Sequence, residues 1–278
     1  MENSSKEDGL WFWISERKHF FVCVLASFLA LVSFWGIGFV IIFIYADFCK
    51  YRDIKHCLSV TFLVAFGLIS LPLYSCFTLE NDTWSLALKC YLISLILFHI
   101  GEFYVQSYFH YKEANFSTFL LDHSKDYTIA ITASFSEHLS KLILPYPSFI
   151  WICIFGIIIT SIGHIFRIGS EINCGQNFSH RIKYSKKASH VLVTNGFYKL
   201  CRHPSYFGWF LWSVGTQIML GNIICTIGFY WASVHFFRNR LSYEEPLLVE
   251  FFRNDYVKYI KNTSQFFPGW RNFLEEEV

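Results

Sequence analysis

A succession of apolar runs, each close to the length needed to cross a bilayer, constrains this chain more than any other feature. A helix spanning the hydrocarbon core needs about 20 residues, within a range of roughly 17–25. Residues 57–79 meet that length, interrupted only by Pro72, and so do residues 86–109 despite His99 and Glu102. Residues 127–144 and 148–166 follow, parted by a turn at Pro145 and Pro147. Residues 206–220 and 223–237, joined at Gly221 and Asn222, are short for full spans and are expected to tilt or to end inside the protein. Composition agrees: 16% of the residues are charged, against about 25% in a soluble domain.

Backbone polar groups in lipid must be satisfied within the segment, which leaves helices as the economical solution. The expected fold is therefore all-α, a polytopic membrane helix bundle forming a single integral membrane domain over 1–278. The first run, 19–46, reads either as one long helix or as a hairpin turning near Ser33 to Gly38. Arg17 and Lys18 precede it, and Lys50, Arg52 and Lys55 follow it. Positive residues mark the cytoplasmic side, so basic flanks at both ends favour the hairpin. That gives about eight transmembrane segments, with the middle spans at about 57–166 and both termini cytosolic. Alternation then puts acidic Glu80 and Asp82 on the lumenal side. It puts residues 167–202, with seven Lys/Arg against Glu171 alone, in the cytosol.

The cysteines show no pairing by spacing: there is no CxxC, and Cys23, Cys76, Cys90, Cys153 and Cys225 lie inside apolar runs. Such residues behave as small hydrophobes. No HExxH motif or cysteine–histidine cluster appears, so neither a metal nor a nucleic-acid partner is expected. Asn81, Asn115, Asn177 and Asn262 head N-x-S/T sequons, which read as coincidence. The N-terminus MENSSKEDGL lacks the pattern of a removable signal peptide.

Chemistry is expected in the polar, glycine-punctuated insertion INCGQNFSHRIKYSKKASHVLVTNGFYKLCRH, residues 172–203. Asn195-Gly196 is a turn signal. Pro204 pushes His203 out of helical geometry and opens the next helix, where a proline is tolerated. His203 would then stand at a helix mouth, where free N–H groups suit a polar ligand, although a histidine before proline is more often a structural residue. Farther on, Ser242 and Glu245 have capping-box spacing and Pro246 cannot continue a helix without losing a hydrogen bond. A break near Arg240 is expected, followed by an amphipathic C-terminal helix from about Glu244 to Lys261. Its apolar face of Leu247, Leu248, Phe251, Phe252, Tyr256, Tyr259 and Ile260 would pack on the membrane surface or under the insertion. His99 and Glu102 lie three apart inside a span and read as a satisfied polar pair, with His164 or Arg167 as further partners, or as part of a substrate cavity.

Several stretches resemble the isoprenylcysteine carboxyl methyltransferase family in order and spacing: GQNFSH, SHVLVTNGFYKLCRHPSYFGWFLWSVGTQ and RNRLSYEEPLLVEFF, with FLLDHSKDYT at 119–128. The resemblance runs from about His99 to Trp270. The RHPxYxG core is shared with phospholipid N-methyltransferases and sterol reductases, and the upstream HxLVxxGxY with the downstream Arg-xxx-Glu narrows it. The family carries a denser run of glutamates where this chain has Leu-Ser-Tyr-Glu-Glu-Pro. The resemblance implies a cytosolic cofactor- and substrate-binding region at about 167–270. Gln176, His190, Val191, Leu192, Val193, Tyr198, His203 and Tyr206 would line an S-adenosylmethionine pocket. Glu244 matches a cofactor-binding glutamate, and Arg240 an arginine near the substrate carboxylate. It further implies an enzyme of the endoplasmic reticulum membrane, with prenylated protein C-termini of the CaaX type and membrane lipids as partners. The alternative is a membrane phospholipid N-methyltransferase.

A C-terminal carboxylate has a pKa of about 3.5 and is ionised at neutral pH. Its methylation needs alignment and exclusion of water rather than a general base. An amine acceptor would need a base and would gain nothing from Arg240.

Overall fold

The computed structural model describes residues 83–110, 113, 118, 120, 124–141, 143, 149–186 and 188–266. The expected hairpin at 19–46 and span at 57–79 lie outside the described residues. The chain divides into two compact units, Met1–Thr128 and Ile129–Val278. Among the described residues all regular structure is helical: α1 (Thr83–Phe109), α2 (Lys125–Ser140), α3 (Ile150–Cys174), α4 (Phe197–Leu200), α5 (Pro204–Leu220), α6 (Ile223–Phe252) and α7 (Asn254–Asn262). A 3-10 turn, Gly175–Asn177, follows α3. Among the described residues two stretches are long and apolar enough to cross a membrane, Thr83–Phe109 and Ile150–Asn177.

In the first unit, α1 carries polar residues on its buried positions, among them Ser94, His99, Glu102 and Gln106. His99 Nε2 meets the Tyr127 hydroxyl at 2.9 Å. In the second unit, His164 packs edge-on against Trp212 and Arg167 forms an ion pair with Glu171, 2.9 Å away. Tyr127 is thus a partner of His99 that its sequence neighbourhood does not announce.

The second unit is organised by α3 and α5. Along α3 the buried residues Cys153, Gly156, Thr160, Gly163, Arg167 and Ser170 recur at spacings of three and four. The opposite face exposes Ile154, Phe155, Ile158, Ile162 and Ile165. Small and polar inside, large and apolar outside, is the pattern of a helix whose outer solvent is lipid. Glycines let α5 approach closely, antiparallel to α3. A Cβ on Gly163 would lie 2.4 Å from the Trp212 nitrogen, one on Gly208 2.4 Å from the Arg167 nitrogen, and one on Gly156 2.2 Å from the Met219 nitrogen.

α5 and α6 form a hairpin around Tyr206, Phe210, Val234, Phe237 and Leu241. Its turn is made by Gly221 at φ 68, ψ 28, left-handed backbone that glycine adopts without strain. The Glu137 carboxylate of α2 caps α6 by accepting the N–H groups of Ile224 (2.9 Å) and Cys225 (2.7 Å). Asn222 Nδ2 donates to Ser134 O and to Gln217 Oε1. This end of the hairpin is therefore closed by polar contacts, those of Asn222 buried.

Three boundaries differ from the sequence expectation. α3 continues past Phe166 to Cys174 and stops at Gly175, φ 57. α6 runs unbroken through Arg240 and through Pro246, an exposed position, to Phe252. The break comes instead at Arg253, φ 52. Ser242 and Glu245 form no capping box: the Ser242 hydroxyl donates to Asn239 O within the helix, and Glu245 turns inward. A proline inside a helix costs about 3 kcal/mol, and tertiary anchoring on the inner face of the same turn offsets it. The amphipathic helix is thus split between the last turns of α6 and α7. Tyr256, Tyr259 and Ile260 pack with Leu192 and Tyr198, so this face lies under the insertion.

Small-to-large changes in a close-packed interface cost about 1–3 kcal/mol. Gly208→Ala is therefore expected to lower the thermal midpoint of the purified protein in detergent. Gly228→Ala, where a Cβ would meet nothing within 4 Å, should leave it unchanged or raise it. Equal midpoints for the two would contradict the packing described.

Candidate functional site

The insertion between α3 and α5 is held in an irregular but well-bonded path. Asn173 Oδ1 accepts the Phe197 N–H at 2.9 Å, and its amide donates to Asn195 Oδ1 at 3.1 Å. Gly196 has φ 55, and a Cβ there would meet the Asn173 side chain at 2.2 Å, so the expected Asn-Gly turn has a steric reason. Asn177 Oδ1 accepts the Val191 N–H at 2.9 Å. Residues 191–194 form no strand.

Two further bonds tie the insertion to α6. Lys186 Nζ donates to Phe251 O at 2.7 Å and lies 4.8 Å above the Phe252 ring. Arg240 Nη2 donates to His180 O at 2.6 Å.

Between the insertion and α6 lies a cleft enclosing about 900 Å³, part of it open to solvent. Of the residues expected from sequence, His190, Val191, Leu192, Val193, Tyr198, His203, Tyr206 and Glu244 line it. Gln176 is outside the lining, exposed on the 3-10 turn, although its neighbour Asn177 is a wall residue. Arg240 stands just outside the lining, one helical turn before Glu244. Its Nε donates to the Tyr206 hydroxyl at 2.7 Å and lies 3.9 Å from Glu244 Oε2. The Tyr206 hydroxyl in turn donates to Glu244. Sequence reasoning missed the apolar wall of Leu247, Leu248, Phe251 and Phe252, and the basic rim of Arg181 and Lys183. The amphipathic pattern of α6 was the available signal for the wall, but it gave no occupant for that face.

Behind the cleft, Pro204 opens α5 and His203 is its N-cap, at φ −126 and ψ 63. The His203 ring stacks on Tyr206, 5.4 Å between centroids and 8° from parallel. Its Nε2 lies 2.6 Å from Glu245 Oε1. Arg202 Nε donates to the same oxygen at 3.2 Å, and so does Gln265 Nε2 at 2.6 Å. Burial by itself would raise the Glu245 pKa. The hydrogen bond and charge of His203, the charge of Arg202 and the Gln265 amide outweigh it, holding the group at about 2.

Cys174, at the end of α3, supplies a further wall residue of the cleft. What the arrangement can do follows from its groups. It can seat a flat apolar moiety against Leu192, Leu248 and Phe251. It can balance a cation at Glu244, and it keeps an arginine beside that anion on the next turn of the same helix.

The sequence pattern of the isoprenylcysteine carboxyl methyltransferase family matches residues 154–250. A protein-S-isoprenylcysteine O-methyltransferase of Dictyostelium discoideum is 40% identical over 181 residues, covering 64% of this chain and 76% of that protein. One of Xenopus laevis is 37% identical over 181 residues, 64% of this chain and 62% of its own length. This chain thus spans somewhat less than two thirds of the frog protein. The solved structure of the eukaryotic intramembrane Ras methyltransferase, an isoprenylcysteine carboxyl methyltransferase, superimposes with a TM-score of 0.74 at 28% identity. It covers 92% of this chain and 95% of that one. The chain belongs to the isoprenylcysteine carboxyl methyltransferase family.

Proposed function

We propose that the cleft binds S-adenosylmethionine and that Arg240 presents the C-terminal carboxylate of an isoprenylated cysteine to it, on the cytosolic face of the endoplasmic reticulum membrane. The reaction is O-methylation of that carboxylate. The observation that carries this reading is the pairing on one turn of α6. Glu244, an anion, lines the cleft, Arg240, a cation, stands just outside it, and the Tyr206 hydroxyl bridges the two.

The residues present fit the donor. Glu244 suits an ammonium group, the rim cations Arg181 and Lys183 suit a carboxylate, and Leu192, Val193, Leu248 and Phe251 suit a purine face. When bound, S-adenosylmethionine supplies an electrophilic methyl group on a sulfonium. The remaining work falls to the protein. Tyr206 holds the Arg240 guanidinium at Nε and His180 O takes a hydrogen of Nη2, which leaves Nη1 to donate a charge-assisted hydrogen bond to a carboxylate.

Arg240 also grips the insertion through His180 O, and Lys186 grips it through Phe251 O. Those contacts keep the insertion over the cleft, where excluding water raises the reactivity of a carboxylate. No proton has to move, and Glu245, whose Oε1 takes three donors, is held as an anion. The prenyl chain, soluble only in lipid, reaches the site from the bilayer between helices. The seven basic residues of 167–202 favour a cytosolic insertion, and both termini follow by alternation. Methylation removes a charge from the lipidated terminus and strengthens its hold on the membrane.

Arg240→Ala is expected to lower kcat with a farnesylated cysteine acceptor by about 10²-fold or more, as loss of a charge-stabilising donor does elsewhere. Its calorimetric affinity for S-adenosylmethionine should change far less. Equal losses in both would contradict the assigned role. Glu244→Ala should instead weaken cofactor binding first. Transfer of a labelled methyl group from the donor to a farnesylated cysteine analogue should proceed in purified protein, while a phospholipid amine acceptor stays unlabelled. The reverse labelling would favour the N-methyltransferase reading.

A further inference from the structure

We infer that Glu245 is a positioning residue for the cofactor end of the site, acting through His203. This rests on the reading of the cleft as the S-adenosylmethionine site. Successive residues of an α-helix point about 100° apart. Glu244 therefore faces the cleft while Glu245, 6% exposed, faces away from it into the protein. A buried carboxylate is costly unless charge and hydrogen bonds compensate it. Here one oxygen, Oε1, collects donors from Arg202, His203 and Gln265.

Arg202 is itself buried and permanently charged, so the carboxylate that balances it is anionic whatever state His203 is in. The imidazole nitrogen facing an anion must carry the proton, which fixes Nε2 as the N–H. Nδ1 is left as the ring's other polar atom. The same bond sets the plane of the ring, and the ring stacks on Tyr206, whose hydroxyl joins Arg240 to Glu244. Glu245 thus reaches the cleft wall in two steps: its carboxylate orients His203, and His203 packs the tyrosine that bridges the site.

The hub also ties down the segment after α7. Arg202 donates from Nη1 to Thr263 O at 2.9 Å and from its backbone N–H to Ser264 O at 3.0 Å. The Gln265 side chain completes the set at Glu245. A glutamate serving only as a helix-surface charge would call for none of these donors.

A double-mutant cycle in the full-length purified protein tests the inference, because a residue acting through His203 must be non-additive with it. Glu245→Gln keeps the shape and one acceptor oxygen but removes the charge. Losing a charged hydrogen bond of this kind is expected to raise the KM for S-adenosylmethionine about tenfold, with kcat within about threefold. His203→Ala should raise the KM similarly, and the double variant should lie within about twofold of His203→Ala alone. Independent, multiplying effects would overturn the inference, as would an unchanged KM in Glu245→Gln alongside a raised one in His203→Ala. An unchanged KM in His203→Ala would overturn the cofactor reading of the cleft as well. Should Glu245→Gln not accumulate as folded protein, Gln265→Ala removes one bond and spares the ion pair with Arg202. Its cycle with His203→Ala is judged by the same outcomes.

Discussion

The close approach of α3 and α5 is the contact on which the rest of the second unit depends. At Gly163 and Gly208 the two backbones come nearer than any side chain would allow. Dispersion between closely fitted surfaces is the main attraction available to helices in lipid, and small residues are what permit it. The contact also fixes register. With Gly208 against the Arg167 backbone, the Arg167 side chain reaches Ser205, donating from Nη1 to its hydroxyl at 2.7 Å. The mouth of α5, with His203 and Tyr206, is thereby set beside the end of α3, from which the insertion departs.

Charge is distributed along α6 in keeping with its two environments. Its first turns expose Ile223, Ile224, Ile227 and Trp231, and its later turns carry Arg240, Glu244 and Glu245. A charged group inside a bilayer is expensive. These three lie beyond the apolar part of the helix, and each meets a partner from α5 or the segments flanking it. An anion facing the cleft and another facing the interior on adjacent residues let one helix serve both cleft and scaffold. Burial pushes the Cys201 thiol up to about 12, so charge beside it resides in the arginines and glutamates.

Much of this was legible in the sequence, for identifiable reasons. Pro204 and Gly196 act through local sterics, so a start for α5 and a turn before α4 could be read from single residues and were found there. Apolar run length located α1, α3 and α5 because lipid imposes it. The resemblance collected most of the cleft-lining residues. What escaped was set by tertiary contacts. Pro246 signalled a helix break on local grounds, yet the anchoring of Glu244 to Tyr206 and of Glu245 to Arg202 carries the helix through it. Glu245 stands at capping-box spacing from Ser242, whereas its partners in the fold are 42, 43 and 20 residues away. The continuation of α3 beyond Phe166 was hidden for a similar reason. Arg167 and Glu171 look like the start of a polar loop, whereas their ion pair and the reach of Arg167 to Ser205 on α5 hold both inside the fold.

The most direct measurement is a structure of the protein determined with S-adenosylhomocysteine, the product of the donor. The nucleoside is expected between residues 191–193 and Phe251 of α6, with the ammonium of the amino-acid moiety at Glu244 and the sulfur toward Tyr206 and Arg240. A ligand bound elsewhere in the chain, or bound in the cleft with its amino-acid end remote from Glu244, would contradict the assignment of this site.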